Sequence, residues 1–223
     1  MTPDATPRRI GNRRGFGSDL REEILAGAER LLALSGPRNA VTLRAIAREA
    51  GIAAPSIYPH FRDRDAILDA VVARTFVALA DTCRRAAVTA PRGVERIAAI
   101  SLAYLAFARH NPGQYHILFE RSTANIASPP HQYVEGIDAF GLLTSAFEDI
   151  AAEGAPRDLD STLAAQSLFV ALHGIATLTP ALPGFPWLAE SELVRNVIAK
   201  MVGPAQEVGR QPNFLRDDPV EAG

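Results

Sequence analysis

Residues 42–61 read TLRAIAREAGIAAPSIYPHF, and the order of residue types predicts two short helices joined by a tight turn. Thr42 is placed to N-cap the first, its hydroxyl accepting from a free backbone N–H of the opening turn. Leu43, Ile46, Ala47 and Ala50 recur at helical spacing and give one narrow apolar face. Gly51, which tolerates positive φ, ends that helix and sharpens the turn. Ile52 plugs the turn into the core. Pro55 suits the first turn of a second helix. Ile57 and Phe61, at i and i+4, point inward from it, and Ala54, Ser56, Tyr58, Pro59 and His60 face out. A helix pair of this kind sets its second member into the major groove of double-stranded DNA, where base edges are distinguishable.

Thr42, Ile46, Ala47, Ala50, Gly51, Ile52, Ile57, Tyr58, His60 and Phe61 stand in the order T-x-x-x-I-A-x-x-A-G-I-x-x-x-x-I-Y-x-H-F. This order resembles the N-terminal domain of the tetracycline-repressor (TetR) family of bacterial regulators, and the likeness covers about residues 18–68. One departure is Ala53, where the family often has Ser or another capping residue, so the second helix lacks a side-chain cap. A weaker likeness, NPGQYHILF at 111–119 with ALHGIA at 171–176, is similar to the WHG-type subgroup of the family's regulatory domains. The resemblance implies an all-α protein, with a DNA-binding module followed by a larger regulatory and dimerisation module.

The composition agrees. The 223 residues hold one large or two small domains with ample core. Leu and Ala are common and segments rich in β-branched residues are few, which favours helices. We read no uncharged apolar run of about 18 residues and expect no membrane-spanning helix. The Arg-rich N-terminus lacks the apolar stretch of a secretory signal. The single cysteine, Cys83, excludes an internal disulfide framework and a cysteine-rich zinc site, and fits a reducing cytoplasm. Residues 1–62 carry a balance of +4 and residues 63–223 a balance of −6. Only the N-terminal part therefore has the charge expected of a phosphate-binding, nucleoid-associated surface.

Along the chain, residues 1–17 are expected to form a disordered basic arm with Arg8, Arg9, Arg13 and Arg14, either following the DNA backbone or merely solvated. The first helix is expected from Asp19 to Leu34, capped by Ser18. With the pair at 42–61 it makes a three-helix module over residues 18–63. A helix of about 35–40 Å then runs from Asp63 to about Val88 and enters the second module, residues 64–203, without a Gly- or Pro-rich linker. Further helices are expected at 94–110, 114–120, 132–153, 158–179 (closed by Pro180) and 187–202, nine in all, with a loop at 121–130. Residues 204–223 read as a disordered tail.

The candidate DNA-binding residues are Thr42, Arg44, Ala54, Pro55, Ser56, Tyr58, Pro59, His60, Arg62 and Arg64. Thr42, Tyr58, His60, Arg62 and Arg64 suit phosphates; Arg44, Ala54, Pro55, Ser56 and Pro59 suit base edges. Phe76, Tyr104, Phe107, Tyr115, His116, Phe119, Phe147 and Phe169 are candidates for an apolar ligand pocket, with Phe140 approaching from a later helix. For any one of them plain core packing is the simpler reading. The apolar stripes of the last two helices are candidates for a homodimer interface: Leu168, Leu172, Gly174, Ile175, Val194, Val197, Ile198 and Met201. His110 and His116 are six apart, and no HExxH stands near His131 or His173, so no metal is expected. No nucleophile elbow, Walker loop or GxGxxG is present, so neither catalysis nor a cofactor is expected. These readings converge on a homodimeric repressor released from an inverted-repeat operator by a small apolar ligand. The alternatives are a constitutive DNA-binding module and, more remotely, an all-helical enzyme.

Overall fold

The structure, a computed structural model, describes residues 16–35, 41–119, 134–153 and 159–203. The basic arm with Arg8, Arg9, Arg13 and Arg14, the loop at 121–130, His131 and the tail from 204 lie outside the described residues. Helix α1 spans Phe16–Ser35 and α2 Leu43–Glu49. A 3₁₀ turn, Ala54–Ile57, is followed by α3, Arg64–Thr89. Then come α4 (Val94–His110), α5 (Pro112–Phe119), α6 (Val134–Ala152), α7 (Ser161–Ala181) and α8 (Glu190–Val202). Among the described residues there is no strand. The fold is all-α, as the sequence pattern predicts.

Local chemistry explains the first module. Thr42 Oγ1 accepts from the Ala45 N–H at 3.1 Å. At the other end Gly51, at φ 65°, lets its own N–H reach the Arg48 carbonyl and that of Ile52 the Ala47 carbonyl. That pair of bonds is a Schellman ending. The element after it is a 3₁₀ turn and not the expected α-helix. Pro59 has no N–H to give the Pro55 carbonyl four residues back, and its ring would collide with that carbonyl. The Tyr58 and His60 N–H groups reach three residues back instead, to Pro55 and Ile57. Ala53 supplies no side-chain cap.

Elsewhere several boundaries differ: α5 starts two residues early, at Pro112, and α7 starts at Ser161, capped by Asp160. α1 begins at Phe16, so Ser18 is inside it and not its cap. α8 begins at Glu190, because Trp187 is held in the preceding loop, its N–H and its indole Nε1–H bonded to the Phe185 and Leu182 carbonyls. Pro180 does not close α7 but sits in its last turn. Proline's φ is helical, and near a C-terminus the one lost N–H interrupts little.

α3 ties the halves together. Its stripe from Ile67 through Leu68, Val71, Val72, Phe76 and Leu79 to Cys83 is buried against α1, α4, α5 and α6. Each such large side chain contributes about 1.5–3 kcal/mol. The pairs of Arg74 with exposed Glu22 and half-buried Glu29, at 2.6 and 3.2 Å, lie at the surface and contribute about 1 kcal/mol or less each. Burial, not the ion pairs, therefore seats α3 on α1. The buried polar residues Thr75 and Ser101 are satisfied, donating to the carbonyls of Val71 and Ile97. Cys83 stays a thiol, since burial pushes its pKa up to about 12.

α7 corrects one expectation. Its 21 residues carry no Asp, Glu, Lys or Arg, so by length and composition it is long and apolar enough to cross a membrane. Only 22% of its most apolar window is buried. Leu163, Val170 and Leu178 face outward along it.

An added Cβ on Gly51 would meet nothing within 4 Å, so the cost of a side chain there is purely backbone strain. Gly51→Ala is expected to lower stability by about 1–2 kcal/mol, and Gly51→Asn by less. Thermal unfolding of the two variants checks this; equal stability of Gly51→Ala and the parent would rule out the left-handed ending.

Candidate functional site

The outward surface of the first module is built by two anchors. Ile57 is fully buried and Phe61 is 5% exposed, while Tyr58, between them, is 60% exposed. The turn is thus nailed down from below and presents its polar ring to water. Arg44, on α2, is exposed and makes no ion pair with the described residues, and Pro55 and Pro59 are exposed as well. Asp63 Oδ1 accepts from Ala66 N–H at 2.7 Å and caps α3. Two cations here are already occupied: Arg62 lies 3.1 Å from Asp63, and Arg64 donates from Nε and Nη2 to Asp65. A phosphate meeting either must compete with a neighbouring carboxylate. Ser56 and His60 are half-buried, and Ala54, expected to face out, packs partly against the core.

The second module holds an aromatic cluster threaded by a hydrogen-bond chain. Tyr104 on α4, Tyr115 and Phe119 on α5, and Phe169 and His173 on α7 pack ring against ring, with centroids 4.5–6.4 Å apart, and Phe140 of α6 joins through Phe169. The Tyr104 and Tyr115 hydroxyls are 2.8 Å apart, and Tyr115 Oη is 2.8 Å from His173 Nδ1. One direction satisfies every group: Tyr104 donates to Tyr115, and Tyr115 donates to a neutral His173. Desolvation lowers the His173 pKa, which agrees. Burial raises both tyrosine pKa values, that of Tyr115 to about 12.

Beside this cluster lies a cleft of about 800 Å³. Its walls come from the end of α1, from α4, from the start of α5 and from the last turns of α7, with Arg109 and Glu190 among its lining. Arg109 Nη1 donates to Glu190 Oε2 at 2.5 Å.

Two family models match the chain: "Bacterial regulatory proteins, tetR family" over residues 24–71, and "Tetracyclin repressor-like, C-terminal domain" over residues 97–201. The chain belongs to the TetR family. Proteins of Mycobacterium tuberculosis and Mycobacterium bovis named HTH-type transcriptional regulators are 28% identical over 156 residues, which is 69% of this chain. The match spans 65% of the length of those relatives. A solved protein of unknown function from Rhodococcus sp. RHA1 superposes with a TM-score of 0.71 at 29% identity, over 85% of this chain and 97% of that one. The TetR-family regulator PfmR of Thermus thermophilus shares the fold, at 17% identity and a TM-score of 0.60, over 82% and 98% of the two chains.

In this TetR-family chain the expected pocket residues divide. Tyr104, Tyr115, Phe119 and Phe169 come together, with His173 as the member that sequence reasoning passed over. Its signal was present: it stands four residues after Phe169, on the same helix face. Phe147 is fully buried, and Phe76 and Phe107 are 7% and 8% exposed; all three belong to the core. Of the expected residues only Tyr115 and His116 line the cleft. The dimer candidates divide too. Leu168, Leu172, Val194 and Ile198 are 0% exposed within one protomer, so they cannot meet a partner; they face α4, α6 and each other's helices. Gly174, Ile175, Val197 and Met201 are half-buried at the margin of the uncovered face.

Tyr115→Phe removes the middle of the chain, leaving the Tyr104 hydroxyl without an acceptor and His173 Nδ1 without a donor. It is expected to cost about 1–3 kcal/mol. Tyr104→Phe removes one donor and orphans only a lone pair, so it should cost less. Denaturant unfolding of both variants checks the order, and the reverse order would mean that the chain runs the other way.

Proposed function

We propose that the protein is a homodimeric, sequence-specific DNA-binding transcriptional regulator of the bacterial cytoplasm. On this reading it is a repressor that a small, largely apolar ligand releases from an inverted-repeat operator. The DNA-reading module is residues 18–63 and the ligand-binding and dimerisation module residues 64–203. The observation that carries the reading is the 60% exposed Tyr58 set between buried Ile57 and Phe61. Folding gains nothing from holding an aromatic ring in water, whereas a duplex laid against the turn meets its hydroxyl. Thr42, Tyr58, His60 and Arg62, with Arg64, are assigned to phosphates. Arg44, Pro55, Ser56 and Pro59, with the edge of Ala54, are assigned to base edges, small apolar groups suiting thymine methyls.

The dimer rests on α7. Leu163, Val170 and Leu178 are 60%, 69% and 49% exposed on one helix, an apolar surface too continuous to leave in water. A two-fold pairing of these faces, edged by Gly174, Ile175, Val197 and Met201, covers it and doubles the DNA contact. Ligand release then needs a ligand that prefers the DNA-incompetent state, and a tenfold preference corresponds to about 1.4 kcal/mol.

Genomic fragments retained by the protein supply the operator for two measurements. Tyr58→Phe is expected to weaken all sequences about equally, whereas Arg44→Ala relaxes preference at one base pair by roughly 1–3 kcal/mol. A change of preferred bases in Tyr58→Phe would undo the division. Val170→Glu is expected to turn a dimer into a monomer in sedimentation at micromolar concentration. A monomeric parent that binds a half-site tightly would overturn the dimer, and a protein whose operator affinity no small molecule changes is a constitutive binder.

A further inference from the structure

The cleft of about 800 Å³ lies where the two modules touch. Leu32 and Ala33, in the last turns of α1, line it together with Pro112 and Gly113, which open α5. Here backbone meets backbone: a Cβ on Gly113 would lie 2.1 Å from the Leu32 carbonyl oxygen. Only glycine allows that approach. The opposite wall is α7, where Thr177 is already bonded within the helix and two further polar groups stand out. The buried Thr179 hydroxyl has no partner. Helical hydroxyls ordinarily bond back to the previous turn, as Thr177 does to His173 at 2.8 Å, so Thr179 is an exception. Three residues earlier, Ala176 lines the same wall. Its carbonyl lacks its usual donor, because Pro180 has no N–H. Residues three apart share a helix face. The wall therefore offers an unpartnered hydroxyl and, within one helical turn of it, a carbonyl without its helical donor, and Arg109 and Glu190 neutralise each other.

We propose that this cleft is the seat of the regulatory ligand. The occupant is an uncharged, mostly apolar molecule carrying one hydroxyl or amide, which bonds Thr179 and the Ala176 carbonyl. The volume falls within the roughly 300–1,000 Å³ of small-molecule sites. The balanced ion pair gives no preference for a net charge. The inference rests on the ligand-released reading above and gives that ligand its place and chemistry. It also gives the effect a route: a molecule wedged beside Gly113 separates α5 from α1, and α1 carries α2, against which the reading turn packs.

The probe is 2-naphthol, a fluorescent neutral alcohol, with 2-methylnaphthalene as its match lacking the hydroxyl. Full-length protein is expected to bind both. Thr179→Val should weaken 2-naphthol about tenfold and leave 2-methylnaphthalene unchanged. Because the hydroxyl is unpartnered, Thr179→Val should also keep or raise the thermal midpoint, which separates loss of a contact from loss of fold. Ala176→Trp, which fills the wall, should abolish binding of both. In hydrogen exchange, 2-naphthol should speed the amides of the last turn of α1. No 2-naphthol binding at millimolar concentration, equal binding by Thr179→Val, or unchanged binding by Ala176→Trp would each overturn the seat. Binding with all these signatures but no change in operator affinity would leave the seat standing and sink the release mechanism instead.

Discussion

Between Ile67 and Cys83, α3 turns nine side chains away from water, and they meet α1 on one side and α4, α5 and α6 on the others. Among the described residues no other element is shared so fully by the two halves. Because the buried stripe is continuous, α3 cannot tilt at one end without disturbing packing at the other. Close-packed interiors resist such disturbance until they can switch to a second arrangement. The caps serve this constraint: Asp63 fixes where α3 starts, next to the reading turn, and Gly93, at φ 84°, turns the chain into α4.

The regulatory half manages its polar atoms in two contrasting ways. Around Tyr104, Tyr115 and His173 every buried donor finds an acceptor, so that cluster acts as a rigid keel joining α4, α5 and α7. One helical turn or so further along α7, at Ala176, Thr179 and Pro180, polar atoms are left unmatched. Tyr115 belongs to both places, since it also lines the cleft. A fully satisfied network next to an unsatisfied wall lets the wall accept an occupant without loosening the fold.

Much of the first module was legible because its rules are local. A capping threonine, a glycine in the left-handed region and two inward residues at i and i+4 each act within one or two turns. The 3₁₀ turn was also written in the chain, in Pro59, but the expectation weighed Pro55 and overlooked what the second proline removes. α7 and α8 were read less well. Each carries apolar residues on two faces, and periodicity finds the stripes without saying which one faces inward. Leu168 and Leu172 were assigned outward for that reason, when Leu163, Val170 and Leu178 hold that side. The uncharged run at 161–181 was missed as a run because its Gln, Ser, Thr and His broke it to the eye. The cleft had no signature, since its walls come from three separate segments of the chain, 32–33, 105–116 and 175–190.

The reading turn has one further consequence. It is four residues long and held by Pro55, the neighbouring Pro59, two buried side chains and short backbone bonds such as Ser56 N–H to the Ala53 carbonyl, none of which uses an outward side chain. The outward positions, Ser56, Tyr58 and His60, therefore carry little responsibility for the fold. At Tyr58, the most exposed of them, a substitution opens no cavity. Lineages descended from this chain can drift in the sequences they recognise while keeping the same scaffold, and the drift needs no compensating change elsewhere. Recognition and architecture are written in different letters of the same short segment.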